Sequence, residues 1–284
     1  MNTYTTLIVY IVLIILFVRY FLYIIYDKLT FYPYKATHED IQNLKQKFGD
    51  RIEVGSFKGG NGNILWYALY NKYRKPSWDD NITFYCRGCA KWLEEDINGS
   101  CMDILSKYGS VFIFDYGGFG MSTGTPTEHG LYVDTKSAWN FMVNDKGVCV
   151  DNVIIVGHSL GCSTAAYITH HLHRTKQKIP KYLILSAPFY DSRTVASDFI
   201  PVFGKLNHNL FETNKFLQTV KGLIKVIYIH SKDDEVVNVY HSHKLREKID
   251  GLLLIIEGSH TDFLLTDDAK IAIHNAYMSF GKRA

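Results

Sequence analysis

The sequence predicts an α/β protein: a mostly parallel central sheet flanked by helices, a small cap insertion and a transmembrane helix at the N-terminus. Three observations carry that reading. From residue 64 onward, apolar runs of strand length alternate with longer segments of helical length, the pattern of parallel strands covered on both faces. The pentapeptide Gly157-His158-Ser159-Leu160-Gly161 stands directly after the apolar run Val153-Ile154-Ile155-Val156, where a sharp strand-to-helix turn belongs. Residues 7–25 are almost unbroken Leu, Ile, Val, Phe and Tyr.

That first run, taken as helix, spans about 28 Å, close to the hydrocarbon thickness of a bilayer. Arg19 interrupts it on a stem long enough to snorkel, and Tyr20, Tyr23 and Tyr26 resemble an interfacial aromatic belt. Bulky residues continue to Tyr26 with no small-residue cleavage site, so residues 1–30 read as an uncleaved single-pass anchor, with a cleaved signal or a buried helix as the alternative. Residues 31–54 follow as a basic connection, and 55–284 form the main domain. Residues 51–57 and 64–70 flank Gly59-Gly60-Asn61-Gly62 and predict an antiparallel hairpin. Further strands are expected at 82–85, 153–156, 223–229 and 252–256, and helices near 99–108, 128–144, 160–174, 238–248 and 267–281. Residues 188–222 break the alternation with mixed aromatic and polar residues, enough for a small cap. Phe189, Tyr190, Phe199, Phe203 and Phe211 in it are candidates for an acyl pocket or for ordinary core.

A chain of 284 residues with 47% hydrophobic content suits one large domain. The net charge of +3, with Lys and Arg scattered, gives nucleic-acid binding no support. Lys28, Lys35, Lys45 and Lys47 offer a modest attraction to anionic lipid. The five cysteines form no paired framework, and Cys86-x-x-Cys89 lacks a second pair or a His at zinc-ligand spacing, so no metal site is expected. Lys28 and Lys35 lean towards a cytosolic domain, whereas Asn81-Ile82-Thr83 and Asn98-Gly99-Ser100 would be glycosylation acceptors in a lumenal one; the side of the membrane stays open.

The chemistry rests on an ordered set of residues. The glycines two before and two after Ser159 permit the tight turn that lifts a serine into an exposed position. A serine hydroxyl is a weak nucleophile at its own pKa, so it needs an imidazole as base and a carboxylate to hold that imidazole. Both follow later strands in order: the acidic loop His230-Ser231-Lys232-Asp233-Asp234-Glu235-Val236-Val237, and Glu257-Gly258-Ser259-His260. His260 is the expected base. Asp234 is the expected acid, with Asp233 and Glu235 as rivals, because its spacing to Val237 resembles the Asp-x-x-Val that hydrolases of this type often show before the following helix. Singly, three adjacent acids are a solvated turn and one His among twelve is a surface or core residue; the order after successive strands is what separates these. His158 reads as structural, and His230 and Asp262 as loop and cap hydrogen-bonders. Two backbone N–H groups complete such a site as an oxyanion hole, from Leu160 after the nucleophile and from Cys89 in the loop Cys86-Arg87-Gly88-Cys89-Ala90. Arg87 reads either as an attraction for an anionic head group or as one partner of an ion pair.

Residues 115–128 read D-Y-G-G-F-G-M-S-T-G-T-P-T-E, with Gly130-Leu131-Tyr132-Val133-Asp134 following. This block is similar to the D-Y-x-G-Y-G-x-S-x-G-x-P-x-E block of the membrane-anchored α/β-hydrolase-domain serine hydrolases, which include protein depalmitoylases and lysophospholipid lipases. Over residues 55–280 the chain resembles that family. The resemblance implies an α/β-hydrolase fold and places Ser159, Asp234 and His260 on the family's triad positions. Gly258-Ser259-His260-Thr261-Asp262 resembles its G-x-H-N-D ending with Thr261 for Asn, and Arg87-Gly88-Cys89 stands where many relatives have His-Gly-Asn.

The expected activity is that of a membrane-anchored serine hydrolase cleaving acyl esters or thioesters, of lipids or acylated proteins, with no metal or organic cofactor. A serine peptidase is the weaker enzyme reading, because the chain has no room for a large accessory domain that sieves peptides. The non-enzyme reading is a membrane-tethered scaffold that keeps the fold without turnover.

Overall fold

The hairpin turn predicted at Gly59 to Gly62 is closed by Gly59 N–H donating to Asn63 O (2.7 Å) and Gly62 N–H to Gly59 O (3.0 Å). It joins β1 (Ile52–Lys58) to β2 (Ile64–Tyr70), paired antiparallel from Ile52↔Tyr70 to Lys58↔Ile64. The structure, a computed structural model, describes residues 3–199, 201, 210–261 and 266–278. Six more strands extend the sheet: β3 (Ile82–Cys86), β4 (Ser110–Phe114), β5 (Val153–His158), β6 (Tyr182–Ser186), β7 (Lys225–Ser231) and β8 (Leu252–Ile256). Their order is β1-β2-β4-β3-β5-β6-β7-β8, antiparallel through the β2–β4 pairing and parallel from β4 to β8. Every residue of β3, β4 and β5 is buried, as continuous apolar runs in a sheet covered on both faces must be.

Alternation divides each strand between two cores. Ile82, Phe84, Val153 and Ile155 face a cluster with Leu131, Trp139, Ile168 and Leu172, which lie on α5 (Glu128–Asn140) and α6 (Gly161–Arg174). Tyr85, Ile154 and Val156 face the other cluster, built with α2 (His38–Phe48), α3 (Leu93–Ile97), α4 (Ser100–Leu105) and α10 (Asp267–Met278). Each large apolar side chain so buried contributes about 1.5–3 kcal/mol. The cap holds α7 (Ser192–Phe199) and α8 (Thr213–Thr219), and α9 (Tyr240–Lys248) joins β7 to β8.

The expected helices correspond to α4, α5, α6, α9 and α10, of which 279–281 lie outside the described residues. Several elements go beyond the sequence reading, β4 and the cap helices α7 and α8 among them. The connection contains α2, started by a reciprocal capping box in which Thr37 N–H donates to Asp40 Oδ2 (2.7 Å) and Asp40 N–H to Thr37 Oγ1 (3.2 Å). Ile41, Leu44 and Phe48 form its buried stripe. Both β6 and the one-turn α3 are also additional. β7 starts at Lys225 rather than at 223, because Val220 to Leu223 close a turn and leave Leu223 exposed.

At the N-terminus, α1 (Thr3–Thr30) includes one segment, Thr3–Phe21, long and apolar enough to cross a membrane, with no part of it buried in the domain. It is therefore not a core helix. The chain straight after it is built into the domain. Phe31 is buried edge-on against Phe119 and Phe211, with centroids at 6.5 and 6.2 Å. Tyr32–Pro33 pairs in parallel with Ala90–Lys91, Gly120 N–H donates to Tyr34 O (2.8 Å), and Ala36 N–H donates to Gly120 O (3.2 Å).

Candidate active site

Ser159 occupies the turn between β5 and α6 with φ 52°, a left-handed conformation that costs a non-glycine residue about 1–3 kcal/mol. The turn is held from both sides: Ser159 N–H donates to Ser186 O (2.9 Å) and Ser159 O accepts from Cys162 N–H (2.9 Å). The flanking glycines are required by contact. A Cβ on Gly157 would lie 2.6 Å from Gly161 O and 2.7 Å from Cys162 Cα; one on Gly161 would lie 2.0 Å from Cys86 O. The end of β3 and the start of α6 therefore press together across a side-chain-free contact, and that contact sets the loop carrying Cys89 beside Leu160.

Asp234 follows β7. Its Oδ1 accepts N–H from Val236 (2.9 Å) and Val237 (2.7 Å), and its Oδ2 accepts from His260 Nδ1 (2.7 Å) and lies 3.3 Å from His230 Nε2. The Asp-x-x-Val spacing thus has a physical origin, since the carboxylate caps the backbone that leads to Val237. Asp233 and Glu235, the rivals, are exposed, and Glu235 only accepts the His260 backbone N–H at 3.2 Å. Burial opposes ionisation of Asp234, yet hydrogen bonds from His230, His260 and Val237 outweigh it and hold the carboxyl far below the ordinary range. A carboxylate at Oδ2 makes His260 Nδ1 the protonated nitrogen and leaves a lone pair on Nε2.

His230 is a buried support for this acid. Its Nε2–H donates to Val237 O (2.8 Å) beside Asp234, and its Nδ1 accepts from Ser242 Oγ (2.7 Å). His158, which immediately precedes the serine, lies with its ring 5.2 Å from that of His260. Burial, and then the neighbouring His260, push its pKa down to about 3. His158 therefore places no cation next to the His260 imidazole. Asp262 lies outside the described residues.

Arg87 resolves as an ion pair. Its side chain is 1% exposed, with Nε donating to Asp96 Oδ2 (2.9 Å) and Nη1 to Asp115 Oδ1 (3.0 Å). The buried guanidinium does not line the cavity beside Ser159, so it does not present charge to a head group there. The pair fixes the backbone after β3, where Arg87 O also accepts from Tyr116 OH (3.1 Å). Burial raises Asp115 to about 7 against the pull of Arg87, and pushes the Cys86 thiol up to about 12.

Ser159, Cys89 and Leu160 border one cavity of about 300 Å³. Three of the candidate acyl-pocket residues, Phe189, Phe199 and Phe211, line it; Tyr190 does not, and stacks instead under Lys244 Nζ (4.1 Å). Phe203 lies outside the described residues. Ser192, Val195 and Ala196 of α7, Val236, Val237, Thr30 and Tyr32 complete the walls, and the sequence assigns none of these to a pocket. α7 is fastened by Asp198, which accepts from Tyr240 OH (2.6 Å) and His241 Nε2 (2.8 Å), while His241 Nδ1 accepts from Tyr190 N–H (3.2 Å). A larger open groove of about 970 Å³ lies at the opposite, N-terminal edge of the strands beside Lys181 and Gly251, remote from these residues.

Residues 101–251, more than half of the chain, match the family model described as serine aminopeptidase, S33. Among curated proteins, the chain is 32% identical over 182 residues to the uncharacterized protein R595 of Acanthamoeba polyphaga mimivirus, covering 58% of this chain and 62% of that one. It is 33% identical over 156 residues to the uncharacterized protein YfhR of Escherichia coli K12, covering 54% of each. The chain thus spans less than two thirds of the length of these curated relatives. An α/β-hydrolase crystal structure from Vibrio vulnificus superposes with a TM-score of 0.69 at 19% identity, over 85% of this chain and 87% of that one, a likeness of fold.

Proposed function

The chain belongs to the serine aminopeptidase S33 family of α/β-hydrolases, and we propose that it is a membrane-anchored serine hydrolase cleaving acyl esters or thioesters of lipids or acylated proteins. The observations that carry this reading are the strained Ser159 at the wall of an apolar cavity and a His260 imidazole whose tautomer is set by buried Asp234, its ring 5.2 Å from that of His158, the residue before the serine.

In the proposed reaction, Ser159 Oγ attacks the acyl carbonyl as His260 Nε2 takes its proton, and Asp234 stabilises the resulting imidazolium. The amides of Cys89 and Leu160 receive the oxyanion. Collapse breaks the ester or thioester bond, and the leaving alkoxide or thiolate takes the proton from His260. Water then attacks the acyl-enzyme by the reverse route, releasing the acid and restoring Ser159. Neutral His158 matters here, because a cation 5.2 Å from His260 would oppose imidazolium formation. Tethering by the segment Thr3–Phe21 would confine the site near the bilayer and raise the effective concentration of lipidic substrates.

The family description favours a second reading, an aminopeptidase. Such an enzyme needs a carboxylate to receive the substrate's ammonium group, and none stands among the described residues lining the cavity. A panel on the detergent-solubilised protein separates the two: long-chain acyl thioester, lysophospholipid and monoacylglycerol against aminoacyl anilides. Turnover of acyl substrates with the anilides inert is the expected result; anilide cleavage alone would establish the peptidase.

A further inference from the structure

The cavity mouth carries large apolar side chains that are exposed among the described residues. Tyr32 is 63% exposed, Phe199 66% and Val236 45%, and all three line the cavity beside Ser159. They come from three separate parts of the chain, the anchor junction, the cap helix α7 and the loop after Asp234, yet meet at one rim. Water-facing clusters of this kind are uncommon unless something apolar covers them.

The position of the anchor says what covers this one. Thr30, the last residue of α1, itself lines the cavity, and the next residue, Phe31, is locked between Phe119 and Phe211. No flexible linker separates the helix from the domain. The 28 residues of α1 run about 42 Å, which matches the roughly 40–45 Å of a bilayer including its head groups. A helix that spans the membrane therefore ends at the lipid–water boundary with the cavity rim beside it. Lys35, exposed just past the junction, would meet lipid phosphates there.

We propose that the rim formed by Tyr32, Phe199 and Val236 beds into the bilayer surface next to the anchor, so that the acyl chain of a membrane-resident substrate passes from lipid into the cavity without crossing water. The inference rests on the membrane-anchored reading above, and adds to it a fixed docking face and a direction of substrate entry. It makes the anchor junction part of the acyl pocket.

Nitroxide accessibility tests this without using turnover. The full-length protein, carrying Cys89→Ser and Cys149→Ser to silence competing thiols, receives a label at Tyr32→Cys, Val236→Cys, Ile11→Cys or Leu223→Cys. It is then reconstituted into phosphatidylcholine–phosphatidylserine vesicles. Leu223 is exposed at the opposite edge of the sheet and Ile11 lies within the apolar segment. The expected result is oxygen accessibility exceeding that of a nickel chelate at Tyr32, Val236 and Ile11, with the ratio inverted at Leu223. A nickel-dominated rim with Ile11 in lipid would overturn the docking face and leave the anchor standing, the pattern expected of a face for a soluble partner. A nickel-dominated Ile11 would overturn both. Neither outcome depends on whether Ser159 is a nucleophile.

Discussion

Asp234→Asn lowers turnover by about 10³–10⁴-fold with the fold retained. The size follows from the two roles of the side chain. Oδ1 of the asparagine still accepts the Val236 and Val237 N–H groups, so the loop keeps its shape. At the Oδ2 position, where a carboxylate accepts from His260 Nδ1 and faces His230 Nε2, an amide nitrogen would offer only donors. His260 then accepts at Nδ1 and carries its proton on Nε2, where it cannot take one from Ser159. Asp233→Asn, at an exposed neighbour that holds no imidazole, leaves turnover near that of the wild type. Initial rates on the best acyl substrate, with circular dichroism as the check on folding, measure both; equal losses would remove Asp234 from its assigned role.

Gly161→Ala has a comparable effect by a different route. The added methyl would sit 2.0 Å from Cys86 O and 2.6 Å from Arg87 O, and both are backbone atoms that cannot rotate away. Either α6 shifts off the end of β3 or the loop carrying Cys89 is displaced, and the two proposed oxyanion donors lose their spacing. A destabilisation of about 3 kcal/mol or more is expected, seen as a lower apparent Tm or a failure to accumulate, and any folded fraction is inactive. An active, undiminished variant would show that this close contact does not set the site.

What was legible in the chain depended on range. Ser159, Asp234 and His260 could be proposed together because each follows a strand and the strands announce themselves locally. Asp234 could be chosen over its neighbours because the capped backbone imposes the spacing to Val237. Thr37 and Asp40 form an equally local signature for α2, with Ile41, Leu44 and Phe48 on one stripe, so this helix inside the connection is encoded locally too. β6 is a short apolar run that blends into the irregular stretch beyond it. The cavity walls were of another kind. Thr30 and Tyr32 meet Val236 across about two hundred residues, and no periodicity in either segment encodes that meeting. Arg87 was readable as a departure, but its direction was not: only the half-buried Asp96 and the buried Asp115 that it pairs with decide that the charge is held inside the fold.

Whether Ser159 is an activated nucleophile is tested most directly by fluorophosphonate labelling of the detergent-solubilised protein beside Ser159→Ala. Covalent labelling of the wild type that is lost in the variant is the predicted result. A folded wild-type protein that takes no label would contradict the account and leave a membrane-tethered scaffold of hydrolase fold in its place.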